Sequence, residues 1–271
     1  MLHKPLITMT TDFGYADPFV GVMKGVIYGI NPEVNIVDLT HNISPQSIQE
    51  AAFTIGMHYH YFPKNSLHLV VVDPGVGSER RPILVAAGEH YFIGPDNGVF
   101  SYVYRQAPDY LRVIRITSDH LFLMKDSPTF QGRDVFAPSA AWLSTGKDIS
   151  YFGEVITDYH VIDLPASWRQ TDEILQGEVI LIDRFGNAIT NIRKADIHGL
   201  NMSRKQGALR ISLKGMDTRL MSFYSEAQAE TLSALLNSSG YLELFIFKGS
   251  AASQYAIVPG DRVTVSTSSL F

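Results

Sequence analysis

Two carboxylates stand where strand-like runs end: Asp12 closes "LITMTTD" and Asp73 closes "LHLVVVD". In an open α/β sheet, ligands collect beyond the carboxyl ends of the strands. A carboxylate placed there can accept hydrogen bonds from hydroxyls, attract a cation or orient a water molecule. Asp17 adds a third acidic group close to the first. The run after Asp73, "PGVGSERR", carries Gly75 and Gly77, whose backbone freedom would let the chain return Arg80 toward Asp73. Asp-Pro-Gly is also a common turn sequence in which the Asp side chain bonds its own backbone. Both readings stand on the pattern alone.

Other polar groups gather around glycines. "GPDNGVF" presents Asp96 and Asn97 in a turn that by itself reads as a hairpin loop. "FQGRDVFAPSAAWL" sets Arg133 and Asp134 at the mouth of an apolar helix, where Asp134 also suits the helix dipole. "LIDRFGNAITNI" puts Asp183, Phe185 and Asn187 around one glycine, a hairpin turn with a packed aromatic. His58 and His60 in "HYHYF" are too close in sequence to share a helical face, so no metal site is expected. There is no GxGxxG, Walker loop or GxSxG. These clusters alone describe an enzyme-like α/β protein with an acidic crevice.

The elements that must position them fall into two textures. Up to about Tyr159, β-rich runs such as "VNIVDL", "PILVAA" and "LRVIRIT" alternate with helix-like segments. One of these spaces Phe19, Val22, Met23, Val26 and Ile27 on one face, and another, "SPQSIQEAAF", opens at a Ser cap with Pro at the first helical position. From Gln176 onward, strands are separated by Gly and Asn turns with little helix between them. The expectation is an α/β N-terminal domain over 1–164, with a central β-sheet flanked by helices. A linker over 165–175 and a smaller, mainly antiparallel β C-terminal domain over 176–271 would follow.

Composition narrows the functional classes. With 45% hydrophobic and 18% charged residues, the 271-residue chain can bury a sizeable core. A net charge of −5 gives no basic excess for binding a phosphate backbone, so nucleic acid is not an expected partner. The absence of cysteine excludes disulfides, thiolate metal sites and cysteine nucleophiles. No run is long and apolar enough to span a bilayer, and the N-terminal run is too short for a signal peptide. A cytoplasmic protein with no membrane partner is expected.

Seven blocks, in order, resemble the S-adenosyl-L-methionine (SAM) hydroxide adenosyltransferases, or SAM hydrolases, relatives of fluorinase and chlorinase. They are "TTDFGYADPFVGVMKG", "VDLTHNISPQSIQEAA", "VVVDPGVGSERR", "FIGPDNGVFS", "TFQGRDVFAP", "IDRFGNAITNI" and "NSSGYLEL" followed by "KGSAAS". The resemblance implies a homotrimer whose ligand sites lie between one subunit's N-terminal domain and its neighbour's C-terminal domain. Asp12 would hold the ribose hydroxyls. Asp17, Asp183 and Ser238 would hold the methionine end, while Phe185, Asn187, Tyr224 and the backbone near Ala251 would hold the adenine. Asn97 joins the substrate-binding set. The implied substrate is SAM, or an adenosine ligand, with no further cofactor and no metal.

The implied chemistry is attack of water or hydroxide at C5′, with the sulfonium leaving as a neutral thioether and no acid required. In the hydrolase branch an Asp-Arg-His set handles the water. Asp73 and Arg80 match the first two, but Gln131 stands where the family usually has His. Gln keeps hydrogen bonding and loses basicity. Hydrolysis to adenosine and L-methionine is the expectation; an adenosyl-ligand binding protein without turnover is the alternative. Halide transfer is disfavoured, since the halogenase branch has aromatics at the positions of Asp73 and Gln46 and an N-domain insertion not found here. A carboxylate would also repel a halide beside it.

Overall fold

The computed structural model describes residues 4–107, 109–123, 129–200 and 209–267. The chain divides into two compact units, Met1–Leu164 and Pro165–Phe271. The first unit contains, in order, β1 (Leu6–Thr11), α1 (Phe19–Ile30), β2 (Asn35–Thr40), α2 (Ile48–His58), β3 (Leu67–Val71), β4 (Pro82–Ala87) and β5 (His90–Pro95). These are followed by α3 (Ser101–Gln106), β6 (Leu111–Ile116), a π-helical turn over Gly132–Phe136, α4 (Ala137–Ser144) and β7 (Gly153–Ile156).

The seven strands form one sheet in the order β2-β1-β3-β5-β4-β6-β7. β2, β1, β3 and β5 run parallel; β4, β6 and β7 pair antiparallel. Helices cover both faces, so β1 and β3 are buried along nearly their whole length. The pleat sends Leu69 and Val71 into a core with Met23 and Ala140, and Val70 and Val72 into another with Ile55 and Val103. Asp73 follows as the next residue after this alternation.

Two helix details depart from expectation. α1 buries Val20, Met23 and Ile27, whereas Phe19 and Val22 are exposed, so the apolar stripe is rotated by about one residue. α2 opens at Ser47, whose Oγ accepts from Glu50 N, and not at Ser44. Gln46 adopts φ 66°, a left-handed conformation that no helix interior tolerates, so Ser44–Ser47 forms a separate turn.

The second unit begins with a correction. Within the expected 165–175 linker lies β8 (Trp168–Thr171), which pairs antiparallel with β9 (Ile174–Ile182). All four β8 residues are exposed, so the strand is held by pairing rather than by burial and shows no hydrophobic alternation to read. Then come β10 (Ala188–Arg193), α5 (Lys194–His198), β11 (Arg210–Leu213), β12 (Met216–Met221), β13 (Leu232–Leu236), β14 (Tyr241–Ile246), α6 (Ala251–Tyr255) and β15 (Arg262–Ser266). The order is β10-β14-β13-β12-β11-β15-β9-β8, and β10 also pairs with β9, which closes a barrel. Every pairing in it is antiparallel except β12 with β13. Closure pairs the β10 end of the sheet while β8, held by β9 alone, keeps an open edge, and Val179, Ile211, Leu213, Val263 and Val265 fill the interior.

Candidate active site

The connection from β3 to β4 folds back on itself. Val76 N donates to Asp73 O at 3.2 Å, Ser78 N donates to Gly75 O at 3.0 Å, and Gly77 takes φ 81°, which favours glycine. The carboxylate of Asp73 is committed to Arg80 rather than to its own turn. Arg80 Nε donates to Asp73 Oδ1 at 2.9 Å and Nη2 donates to Oδ2. The side chains are 6% and 8% exposed, and the guanidinium lies over the Phe136 ring, 5.1 Å from its centroid. Such a two-pronged pair is the favourable geometry for a buried ion pair. Each carboxylate oxygen keeps a lone pair beyond the one Arg80 uses. Arg80 Nη1 is buried without a hydrogen-bond partner among the described residues.

Asp73 lines a cavity of about 590 Å³ together with Asp12, Gln46 and Gln131. Gln131 immediately precedes the π-helical turn. The apolar wall is Phe13, Phe19 and Phe130, which meet edge-on or tilted at centroid distances of 5.2–6.1 Å. Asp12 Oδ2 accepts from Gln46 N at 2.8 Å. Sequence reasoning used Gln46 only as a contrast with the halogenases, yet it lines the cavity and carries a strained backbone, a combination common at functional sites. The local signal was weak: one Gln between Pro45 and a helix cap.

Behind Asp12 runs a polar chain that sequence reasoning also missed. Thr11 Oγ1 accepts from Phe13 N and lies 2.8 Å from His41 Nδ1; His41 Nε2 is 3.1 Å from Asp38 Oδ1, and Asp38 Oδ2 accepts from Lys24 Nζ at 2.7 Å. Burial pulls the His41 pKa down against the attraction of Asp38, so the ring is neutral near pH 7. If Asp12 is a ligand acceptor, Asp12→Ala weakens adenosine binding by about 1–3 kcal/mol, because the hydroxyls it served stay buried and unpaired. Unchanged affinity in calorimetry would remove Asp12 from the site.

Asp17 is exposed and does not line this cavity. Asn97, expected among the substrate-binding groups, does not line this cavity: Nδ2 donates to Val72 O at 2.9 Å and Oδ1 accepts from Val99 N at 3.2 Å. One of its amide hydrogens and one oxygen lone pair are thereby engaged with the scaffold. Arg133 and Asp134 pair with each other at 2.6 and 3.0 Å, with Asp134 buried, so Asp134 does more than complement a helix dipole.

The second unit has its own cavity of about 590 Å³, lined by Asp183, Phe185, Asn187, Tyr224 and Lys248 among others. Asp183 organises the turn: Oδ1 accepts from Phe185 N and Asn187 N, both at 2.9 Å, and Oδ2 accepts from Asn187 Nδ2 at 3.0 Å. Gly186 has φ 82° and lies so close to Ser250 that a Cβ there would meet Ser250 Oγ at 2.0 Å. Gly186 O accepts from Ala252 N, joining this turn to the start of α6, where Ala251 is fully buried. Phe185, expected as a packed aromatic, is 77% exposed, because the turn throws it outward with its ring face free.

Tyr224 OH donates to Glu243 Oε1 at 2.7 Å, and Asn237 Nδ2 donates to Oε2 at 3.2 Å. Burial raises the Glu243 pKa; burial, then the bond to Glu243, pushes Tyr224 well above its ordinary value. Glu243 is 3% exposed and was not among the expected site residues. In sequence it is one polar residue inside "YLELFI", where alternation predicts nothing special. Ser238 is exposed on the Asn237–Gly240 turn, and neither it nor Ala251 lines the cavity. Among the described residues, no group of three or more His, Cys, Asp or Glu could hold a metal ion, and no helix is long and apolar enough to cross a membrane.

Residues 7–153 match the SAM hydroxide adenosyltransferase N-terminal domain, and residues 177–264 match the corresponding C-terminal domain. A protein of Methanocaldococcus jannaschii named (R)-S-adenosyl-L-methionine hydrolase is 35% identical over 259 residues, spanning 91% of this chain and 90% of that one. A protein of the same name from Salinispora tropica is 31% identical over 98% of this chain and 99% of its own. A fluorinase from an Actinoplanes species is 26% identical over 97% and 98%. The crystal structure of an uncharacterized conserved protein from Thermotoga maritima superposes with a TM-score of 0.89 at 30% identity, covering 96% of this chain and 99% of that one. With both domains matched in order across most of its length, the chain belongs to the SAM hydroxide adenosyltransferase family.

Proposed function

We propose that the protein hydrolyses S-adenosyl-L-methionine to adenosine and L-methionine. The observation that carries this reading is the buried, two-pronged Asp73–Arg80 pair at the wall of an aromatic-lined cavity. Water enters in line with the C5′–S bond; its oxygen bonds to C5′, the sulfonium leaves as the thioether of methionine, and one proton is released. Asp73 accepts a hydrogen bond from the attacking water and Arg80 keeps the carboxylate in place. Gln131, on the same cavity wall, supplies a further hydrogen bond. Asp12 takes the ribose hydroxyls. Asp17, Asp183 and Ser238 take the methionine end, and Phe185, Asn187, Tyr224 and the backbone near Ala251 take the adenine. No further cofactor or metal takes part. The relatives named hydrolases are more similar to this chain than the fluorinase is, and the carboxylate at position 73 opposes a halide.

The proposed assembly, a homotrimer with each ligand held by an N-terminal unit and a neighbouring subunit's C-terminal unit, rests on the family resemblance. A cytoplasmic location goes with the substrate. Incubation with SAM in ¹⁸O-water tests the reaction. Equimolar adenosine and methionine are expected, with the label in the adenosine 5′-hydroxyl. Adenosine binding with no adenosine released above the blank would overturn hydrolysis in favour of a binding protein, a reading motivated by Gln131.

Gln131→His is expected to raise turnover and to introduce a pH dependence near the imidazole pKa of about 6.5. A rate that rises without a new pH dependence would mean that this position acts through orientation alone.

A further inference from the structure

β3 and β4 are joined by the Val72–Arg81 loop but are not neighbours, because β5 lies between them. β5 runs parallel to β3 and antiparallel to β4, so its carboxyl end, the end of β3 and the start of β4 share one edge of the sheet. The loop from Val72 to Arg81 therefore has to step over the end of β5. The residues found there are Asp96 and Asn97.

They hold opposite ends of that loop. Asn97 Nδ2 donates to the carbonyl of Val72, the residue before Asp73, at 2.9 Å. Asp96 Oδ2 accepts from Nε of Arg81, the residue after Arg80, at 2.8 Å, and Asp96 N donates to Arg81 O at 2.8 Å. Each side chain is also tied to a second segment: Asn97 Oδ1 accepts from Val99 N, and Asp96 Oδ1 accepts from His160 N at 2.7 Å. The Asp96 side chain is 3% exposed, and Arg81 is further anchored by Asp158 Oδ1 and the Asp158 carbonyl.

We propose that Asp96 and Asn97 are positioning residues for the hydrolysis, clamping both ends of the Val72–Arg81 loop so that Arg80 meets Asp73 in one geometry. A two-pronged pair tolerates little displacement, and its two members sit at either end of a glycine-containing loop whose shape depends on where those ends are held. The clamp touches no substrate. It acts through Asp73 and Arg80, and so rests on the reading of that pair as the water-orienting group.

Two near-isosteric substitutions test it. Asn97→Asp keeps the acceptor for Val99 N and replaces the donor to Val72 O with a carboxylate oxygen. Asp96→Asn keeps the acceptor for His160 N and removes the charge facing Arg81. Each is expected to lower kcat with SAM by about 10- to 100-fold, the cost of displacing reacting groups by about an ångström, while KM and adenosine affinity hold. Leu143→Ala, a core truncation on α4, gives a destabilised comparison and should leave kcat per folded molecule unchanged. Should Asp96→Asn fail to fold, Arg81→Lys, which keeps the charge and loses the fork, serves in its place. An unchanged kcat in both loop-end variants overturns the clamp. So does a raised KM with unchanged kcat for Asn97→Asp, which would return Asn97 to the ligand. Asp73→Asn run alongside separates the two levels: if it too leaves turnover intact, the water-orienting reading fails, and if it alone abolishes turnover, only the clamp fails.

Discussion

Asp73→Asn lowers turnover by about 100-fold or more while leaving adenosine affinity nearly intact, the signature of an interaction used mainly in the transition state. The carboxylate is held by Arg80 on one side and faces a cavity with Asp12, Gln46 and Gln131 on the other. Replacing one oxygen by an amide turns an acceptor into a donor, either toward the guanidinium or toward the water. Either orientation disrupts the array. The substitution also strands a guanidinium that is 8% exposed, so the folded protein should lose on the order of 3–5 kcal/mol. Turnover must therefore be measured per folded molecule, with thermal unfolding recorded in parallel. Single-turnover rates equal to wild type would reduce Asp73 to a turn residue.

The second large effect is acid sensitivity centred on His68. Its ring is fully buried on β3, stacked on Phe92 at 4.9 Å, with Nδ1 2.7 Å from Thr8 Oγ1 and Nε2 3.3 Å from His90 Nδ1. Burial, and then repulsion from His90, pull its pKa down to about 3. The unfolded chain takes up this proton near pH 6.5 and the folded chain does not. The contribution is thus complete above pH 6.5 and is lost as pH falls toward 3, at about 1.4 kcal/mol per pH unit and at most ~5 kcal/mol in total. His41 and His90, also shifted down, add to the slope in the same direction. His68→Phe combined with Thr8→Val removes the titrating ring without orphaning the hydroxyl. Urea midpoints at pH 7 and pH 5 should then differ less than in the wild type. Equal pH slopes in the two proteins would show that His68 contributes nothing to acid lability.

What could be read from the sequence was what short-range physics encodes. Strand periodicity and glycine or asparagine turns separate an α/β half from a β half because pleating and turn preferences are properties of neighbouring residues. The Asp183 turn was legible for the same reason: its three hydrogen bonds all fall within four residues. The strand-end positions of Asp12 and Asp73 followed once the runs before them were read as strands, and the Gln131 exchange was visible in the motif itself.

Contacts between distant segments could not be read this way. β8 lacks alternation because β9 alone holds it. Gln46 reaches Asp12 across 34 positions, and Tyr224 reaches Glu243 across 19. Asn97 sits in a motif that by itself reads as a hairpin loop and joined the ligand set only through the family resemblance; strand order brings its amide to the Val72 carbonyl, 25 residues away. Phe185 looked packed because hydrophobicity predicts burial on average, whereas the Asp183 turn decides which way this one ring faces. Residue type and local spacing therefore named most of the chemical groups. Whether a polar group faces a ligand, a partner or the scaffold was decided by the tertiary structure, because a buried donor or acceptor takes whichever partner the folded chain brings within reach.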